Sequence, residues 1–446
     1  MSKIYRKIII IVSILVVICF AAVMFVLYGN KKSDGIYLNE TIVIDDESYD
    51  KKENETADSN ELSEATEVIK ENEKENVNDN ATENENESES IAIPLTSDEK
   101  YKASNNFKKV DIREKKDVFC FAGDVFLSKK PRAAYDEKGL DGIIDESYLK
   151  ILKNSDLNIA NLECSITDNI ENAEDKTFTF ALPTKYVKPI TEIGIDLFTM
   201  ANNHSLDYGA NAMLNTIKVL NDNKILHIGA GKNIEEAKRA YIKEIDGKRY
   251  AFLAASAVLP SDNWKATETR VGVFDGYDIR ELCEEIKIVK PYVDKVIVYM
   301  HWGRELETVS NTWQKQYARR IVDAGADLII GSHSHIVQEI EYYKNVPIVY
   351  SLGNFIYGGT MRDTILVTAT FDYSVDKAGQ LQLQIFTGIS SYERVKKDWN
   401  KDEIAAKIKE LQDKSSTCYI GDNGIVFTME QVAEALKQLE SSGEIN

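Results

Sequence analysis

Four of the chain's five histidines lie in short motifs that also contain asparagine or acidic residues. These are His204, His301, His333 and His335, whereas His227 lies outside such a motif. Imidazole, carboxylate and amide oxygen ligands together suit Zn, Mn or Fe better than a metal that prefers thiolates. The residue types therefore predict one or two divalent metal ions, and the alternative is a polar network with a purely structural role.

Carboxylate and amide side chains occupy equivalent positions in the neighbouring motifs. They are Asp124 in FAGDVFL, Asn161 and Glu163 in ANLE, Asn202 and Asn203 in MANNHSLDYG, and Asn354 in YSLGNF. One residue separates His333 from His335, and side chains alternate in an extended chain, so both imidazoles should point to the same side. Glu305 in HWGRE is either a general base or an ordinary acid in a first helical turn.

These motifs follow apolar runs that are typical of buried strands. The runs are VFCFAGD, LNIANLE, IDLFTMANNH, RYAFLAAS, KVIVYMHWG, DLIIGSH and VPIVYSLGN. Amphipathic helical stretches lie between them, which predicts an α/β domain with its ligand site at the carboxyl ends of the strands. TILVTATFDY and QLQLQIFTG indicate later antiparallel strands. Two helices near 402–413 and 429–441 either pack on the domain or form a small appendage.

The first quarter of the chain has a different composition. Ile8–Tyr28 is an uncharged apolar run long enough to cross a bilayer, and too long for a typical cleaved signal peptide. The basic residues before it favour a cytoplasmic N-terminus. Residues 31–100 hold 22 acidic residues and seven lysines within a net charge of −19 for the 446-residue chain. Such a segment cannot bury enough apolar area to fold, so we predict a disordered acidic linker over 31–116.

Several function classes lack support in the sequence. The five cysteines form no close pair, which favours buried free thiols over a disulfide framework or a thiolate zinc site. There is no basic stripe with interleaved aromatic residues, so nucleic-acid binding is not expected. The chain also lacks a G-x-S-x-G elbow and a phosphate-binding loop of the G-x-x-x-x-G-K type.

Six motifs taken in order resemble the bacterial capsule synthesis family of the poly-γ-glutamate (CapA) type. They are GDVFL (123–127), NLE (161–163), NNHSLDYG (202–209), HWGRE (301–305), GSHSH (331–335) and SLGNF (351–355). That family looks like a branch of the calcineurin-like metallophosphoesterases. The resemblance implies a four-layer α/β/β/α sandwich, which we place at about 117–395. The two predicted C-terminal helices then form a helical extension over 396–446.

The resemblance also implies residue roles. The implied metal ligands are Asp124, Glu163, Asn203, His301, His333 and His335. His204 would act as the acid near the scissile group, with Glu305 as a second catalytic candidate. Substrate would contact Asn161, Asn202 and Asn354. The chain departs from the phosphoesterase pattern at Phe126, which replaces a histidine ligand, and at Glu163, which replaces a shorter bridging aspartate.

Three functions follow as hypotheses. The first is a membrane-anchored extracellular protein of capsule polymer synthesis and export, of the poly-γ-glutamate type. The second is a metal-dependent phosphoesterase or hydrolase on an extracellular substrate, and the third is a non-catalytic scaffold that binds polymer. The expected partners are the capsule polymer or its acidic or phosphorylated precursor, and other membrane proteins of capsule synthesis. The expected location is the cell membrane, with a single span and the main domain outside.

Overall fold

The computed structural model describes residues 116–171, 173–374 and 378–441. The predicted transmembrane segment and almost all of the predicted linker lie outside these residues, so both stay predictions. Within the described ranges, no helix is both long enough and apolar enough to cross a bilayer.

The strands alternate with helices through the first two thirds of the described chain. In chain order the strands are β1 (Lys116–Val125), β2 (Leu157–Leu162), β3 (Ser165–Ile166), β4 (Ala181–Leu182), β5 (Leu197–Thr199), β6 (Leu226–Ile228), β7 (Ala230–Gly231), β8 (Tyr241–Ile245), β9 (Lys248–Ser256), β10 (Gly272–Val273), β11 (Lys295–His301), β12 (Leu328–Ser332), β13 (Ile340–Tyr343), β14 (Val346–Val349), β15 (Asn354–Ile356), β16 (Arg362–Asp372), β17 (Gln380–Ser390), β18 (Val395–Lys397), β19 (Cys418–Ile420) and β20 (Ile425–Thr428).

The helices connect these strands or follow them. They are α1 (Lys129–Lys138), α2 (Glu146–Lys153), α3 (Val187–Ile193), α4 (Gly209–Asp222), α5 (Ile234–Ala237), α6 (Arg280–Val289), α7 (Thr312–Asp323), α8 (Lys401–Lys414) and α9 (Met429–Ser441). Short 3-10 turns occur at Gly139–Gly142, Thr184–Tyr186, Asp262–Trp264 and Lys290–Tyr292.

Two large sheets form the centre of the domain. The ten-stranded sheet runs in the order β19-β20-β17-β16-β1-β2-β5-β6, with β15 beside β1 and β18 beside β17. Its β1, β2, β5 and β6 are parallel, whereas β16 and β17 are antiparallel additions. The six-stranded sheet runs in the order β13-β14-β12-β11-β9-β8, and β9, β11, β12 and β14 are parallel. The mixed α/β fold is thus confirmed.

Alternate residues of each central strand enter different apolar clusters, because successive side chains point to opposite faces of a sheet. Phe119 of β1 packs between the sheets, with its ring centroid 4.6 Å from Tyr250 and 5.4 Å from Phe252. The neighbouring Cys120 belongs to the cluster on the opposite face of the ten-stranded sheet, together with Met213 of α4. Both faces are therefore buried, which explains why these strands are almost continuously apolar.

The outer face of the six-stranded sheet is covered in the same way. Val296 and Val298 of β11 share a cluster with Leu282 of α6 and Ile321 of α7. Helices thus lie outside both sheets, which gives four layers. The amphipathic stretches that the sequence predicts between the strands include α4, α6 and α7.

The C-terminal segment packs on the domain. Ile408 and Leu411 of α8 belong to the cluster between the two sheets, and β20 pairs with β17 at the sheet edge. Both predicted C-terminal helices are present, but two strands lie between them that the sequence analysis did not predict. Cys120, Cys164, Cys283 and Cys418 are buried free thiols, as predicted for these positions.

Candidate metal centre

The polar motifs converge where the carboxyl ends of the parallel strands in both sheets meet. In the first sheet, Asp124 near the end of β1 lies in register with Asn161 of β2 and Asn354 of β15. In the second sheet, His301 ends β11 in register with Ser332, the last residue of β12. The polar motifs therefore meet at the strand ends, where the sequence analysis expects a ligand site.

Two groups of side chains are spaced for metal binding. Glu163, His301 and His333 offer ligand atoms that all lie within 4.8 Å of one another, and so do Asp124, Glu163 and His335. Glu163 belongs to both groups. One carboxylate shared by two ligand sets is the arrangement expected for two adjacent ions.

The Glu163 side chain is fully buried, and neither of its oxygens has a hydrogen-bond partner among the described residues. Nδ1 of His333 is likewise buried and unpaired. Buried polar atoms nearly always have partners, and a metal is one that proteins use. Burial, followed by the negative charge of Asp124, holds the pKa of Glu163 well above its usual range. The unpaired atoms and the donor set together fit a divalent cation.

Neighbouring polar groups orient the imidazole rings. The hydroxyl of Ser332 lies 2.9 Å from Nδ1 of His301, and Nε2 of His301 lies 2.9 Å from Oδ1 of Asn203. Nδ1 of His335 lies 2.8 Å from Oδ1 of Asn354. These bonds fix the ring orientations, as supporting partners commonly do for metal-binding histidines.

The charge environment differs among these histidines. Burial is the main cause that lowers the pKa values of His301 and His333 well below the ordinary value, which keeps both rings neutral. Burial also acts to lower the pKa of His335, but the negative charges of Glu163 and Asp124 outweigh it and raise the pKa to about 9.

The backbone conformation predicted for His333 and His335 was wrong, although both rings lie at the candidate metal centre. We expected an extended stretch, but β12 ends at Ser332, and both residues adopt the left-handed backbone conformation, with φ of 90° and 59°. Residues without glycine's freedom rarely adopt it, and such strain clusters at functional sites. The rings still lie close together, with centroids 5.9 Å apart.

Two of the predicted substrate contacts are engaged within the protein. Asn161 is fully buried and donates from Nδ2 to Oδ1 of Asp124 at 2.8 Å, while its Oδ1 accepts from Thr199 and Asn202 at 3.0 Å each. Asn202 is also fully buried, and its Oδ1 accepts from the backbone N–H of His204. Both amides therefore position their neighbours, which differs from the predicted contact with substrate. Asn354 is nearly buried and holds His335.

His204 lies in the turn between β5 and α4, with Nδ1 2.7 Å from Oδ2 of Asp207. The carboxylate accepts the Nδ1 hydrogen, which leaves Nε2 as the atom available for proton transfer. Burial lowers the pKa of His204, although the bond to Asp207 acts in the opposite direction. The ring of Phe180 stacks on His204 with centroids 4.0 Å apart.

Neither Asp207 nor Lys176 is among the functional residues predicted from the sequence. Lys176 donates to Oδ1 of Asp207 at 2.7 Å and to the carbonyl of Asn203 at 2.6 Å. The spacing of Asp207 three residues after His204 could have indicated a contact within one turn. Lys176 comes from a polar loop and carries no such signal.

Glu305 and Phe126 are the two remaining residues that the sequence analysis considered for the site. The Glu305 side chain is exposed, and its negative charge contributes to the raised pKa values of Glu163 and His335. Phe126 occupies the position where the phosphoesterase pattern has a histidine ligand. Its ring stacks on Phe180 with centroids 4.5 Å apart. Phe126 therefore packs beneath the site, and His335 is the histidine that accompanies Asp124 and Glu163.

The family model for the bacterial capsule synthesis protein PGA_cap matches residues 118–358, which contain all of these groups. The chain belongs to this family. It is 30% identical over 313 residues to the PGA biosynthesis protein CapA of Bacillus subtilis, covering 68% of this chain and 80% of that protein. It is 29% identical to the capsule biosynthesis protein CapA of Bacillus anthracis, covering 54% of this chain and 59% of the relative.

Among solved structures, the fold is similar to a putative 5'-nucleotidase from Staphylococcus aureus in complex with alpha-ketoglutarate. The sequence identity is 14% and the TM-score is 0.41, over 67% of this chain and 58% of that chain. A similarity at this level does not indicate which reaction this chain catalyses.

Proposed function

We propose that this chain is a metal-dependent hydrolase of metallophosphoesterase type that acts in the synthesis or export of an extracellular capsule polymer of the poly-γ-glutamate kind. Family membership and the names of the Bacillus relatives support a role in capsule polymer synthesis or export. The observation that best supports metal-dependent hydrolysis is the Glu163 carboxylate. It is buried, has no hydrogen-bond partner among the described residues, and belongs to both ligand groups.

The proposed ligands divide into two sets that share Glu163. Asp124 and His335 complete one set, and His301 and His333 complete the other. Oδ1 of Asn203 lies beside Nε2 of His301 and would supply an amide ligand. Imidazole and carboxylate ligands suit Mn, Zn or Fe. When bound, such an ion supplies the Lewis acidity that lowers the pKa of coordinated water toward about 7.

His204 is the proposed proton donor to the leaving group. Asp207 accepts the hydrogen on Nδ1, so the ring presents Nε2 to the reacting atoms. Phe180 stacks against the ring and limits its rotation. A general acid held in this way typically contributes about 10²- to 10⁴-fold to the rate. Glu305, exposed at the rim of the site, is the proposed base for a substrate or water proton.

The proposed setting is the outer face of the cell membrane. Ile8–Tyr28 would anchor the chain with its N-terminus in the cytoplasm, and the acidic linker over 31–116 would connect the anchor to the domain. The proposed partners are the capsule polymer or its acidic or phosphorylated precursor, and other membrane proteins of capsule synthesis.

The test compares His333→Ala with His227→Ala, a histidine outside the cluster. His333→Ala should lose tightly bound metal and hydrolysis of bis(p-nitrophenyl) phosphate, and should fail to restore polymer export in cells lacking the wild-type gene. His227→Ala should keep all three. Unchanged metal content in His333→Ala would refute the ligand assignment. A variant that lost metal yet restored export would instead identify a non-catalytic scaffold.

A further inference from the structure

Lys176 lies outside both ligand groups, but its ammonium group contacts the turn that carries Asn203 and His204. Nζ donates to the carbonyl oxygen of Asn203 at 2.6 Å and to Oδ1 of Asp207 at 2.7 Å. The Asp207 side chain is fully buried, whereas that of Lys176 is 19% exposed. A buried carboxylate needs a cation or several donors, so Lys176 is part of what holds Asp207 in place.

Lys176 acts on His204 through Asp207. Nζ lies 3.3 Å from Nδ1 of His204, but Nδ1 already donates its hydrogen to Oδ2 of Asp207 at 2.7 Å. A nitrogen that carries a hydrogen has no lone pair with which to accept one from the ammonium. Lys176 therefore fixes the carboxylate that orients the imidazole, and it also fixes the backbone at Asn203.

The lysine is itself held by a further contact. Its Nζ lies 5.1 Å from the ring centroid of the buried Trp264, at a distance suited to a cation–π interaction. The segment around it is tied to the same turn, since the backbone N–H of Glu174 donates to the Asp207 carbonyl at 2.8 Å. The backbone N–H of Phe180 donates to Oδ2 of Asp207 at 2.6 Å. The ammonium is thus preorganised by groups outside the two ligand sets.

We propose that Lys176 is a positioning residue that clamps the 203–207 turn, so that His204 presents Nε2 and Asn203 presents Oδ1 to the reaction centre. This inference rests on the proposed hydrolase function. Lys176 uses its donors within the protein and does not bind substrate. Its loss should therefore lower the turnover of bound substrate without weakening substrate binding.

The experiment measures the kinetics of the full chain in detergent, with Mn²⁺ and bis(p-nitrophenyl) phosphate. Lys176→Met should lower kcat by about 10- to 100-fold, the usual effect of removing a group that orients a site residue. KM should stay near the wild-type value. Lys176→Arg, which keeps the charge and the donors, should recover most of kcat. Lys188→Met, which removes an exposed lysine paired with Glu192, is the matched control and should behave as wild type.

A wild-type kcat in Lys176→Met, or a kcat loss that Lys176→Arg does not recover, would overturn the proposal. A large rise in KM would instead show that Lys176 binds substrate, and would overturn it as well. If Lys176→Met does not fold, Lys176→Gln replaces it, because it removes the charge, keeps a polar group at the same position and leaves Asp207 unchanged.

Hydrogen exchange separates this inference from the hydrolase function. If the wild-type chain hydrolyses no phosphodiester, the proposed function fails, and the amides of 203–209 then decide whether Lys176 clamps the turn. Faster exchange in Lys176→Met than in Lys188→Met supports the clamp. Equal exchange in the two variants rejects it.

Discussion

Oε1 of Glu163 lies 3.7 Å from Nε2 of His301, which joins a residue that follows β2 of the ten-stranded sheet to the last residue of β11 in the six-stranded sheet. Neither residue is more than 1% exposed. The pair shows that the centre is built across the two sheets, so its geometry depends on how they pack.

Glu163→Gln should separate metal binding from folding. Without metal, the variant should be at least as stable as the wild type, because it no longer buries an unpaired ionisable carboxyl group. In the wild type, a metal at one hundred times its Kd adds about 2.7 kcal/mol to the free energy of unfolding. The variant should lose this gain, as measured by thermal unfolding with and without Mn²⁺. An equal metal-induced shift in both proteins would exclude Glu163 as a ligand.

Asn161→Leu should weaken both the fold and the metal site. The substitution removes the donor to Asp124 and the acceptor of the Thr199 hydroxyl, and it leaves the Asn202 amide with only the carbonyl of Leu162 as acceptor. Unpaired buried groups of this kind cost about 1–3 kcal/mol each, measured by urea unfolding, and metal affinity should fall about 10- to 100-fold. Thr199→Val removes only one of these bonds and should cost about 1 kcal/mol. Equal stability of Asn161→Leu and wild type would contradict the proposed network.

Gly123→Ala should disturb the site through the backbone. A Cβ at this position would meet the carbonyl of Gly353, one residue before Asn354. The carbonyl carbon and oxygen of Gly353 belong to the main chain and cannot rotate away as a side chain could. β1 and β15 must therefore move apart, which should lower the free energy of unfolding by about 1–3 kcal/mol.

The control is Gly359→Ala, where a Cβ would meet only the Tyr357 ring at 3.9 Å. This variant should unfold at the wild-type urea concentration and keep its metal. If Gly123→Ala behaved in the same way, the close approach of the two strands would not be required.

Ending the chain after residue 398 should prevent stable folding. The truncation removes Ile408, Leu411 and Val426, which pack with Leu383 and Ile385 between the sheets. We expect insoluble protein, or a loss of cooperative unfolding measured by circular dichroism. Ending the chain after Thr428 removes α9, which has no buried residue among its described side chains, and should be much milder. Soluble, cooperative folding of the shorter chain would show that the C-terminal segment is dispensable.

The sequence predicted the strands that carry the site because each is an apolar run ending in a polar motif. It also predicted their common edge, since parallel strands place their carboxyl ends together. It did not predict β19 and β20, which are short and separated from β17 by a helix. Short edge strands have little periodicity, and their pairing depends on the finished sheet.

The finer features of the site were beyond sequence reasoning because they depend on contacts between distant segments. Lys176 reaches Asp207 from a loop 31 residues earlier, and Trp264 fixes it from another segment. The left-handed conformations of His333 and His335 are not favoured by their residue types, so local preference pointed to an extended chain. Only the surrounding structure can impose such a backbone.

The most direct measurement is anomalous X-ray scattering from crystals soaked in Mn²⁺, with data on both sides of the manganese absorption edge. The account predicts two manganese peaks on either side of the Glu163 carboxylate, one beside Asp124 and His335 and the other beside His301 and His333. Peaks confined to other surfaces, or no peak at this carboxylate at millimolar Mn²⁺, would contradict it.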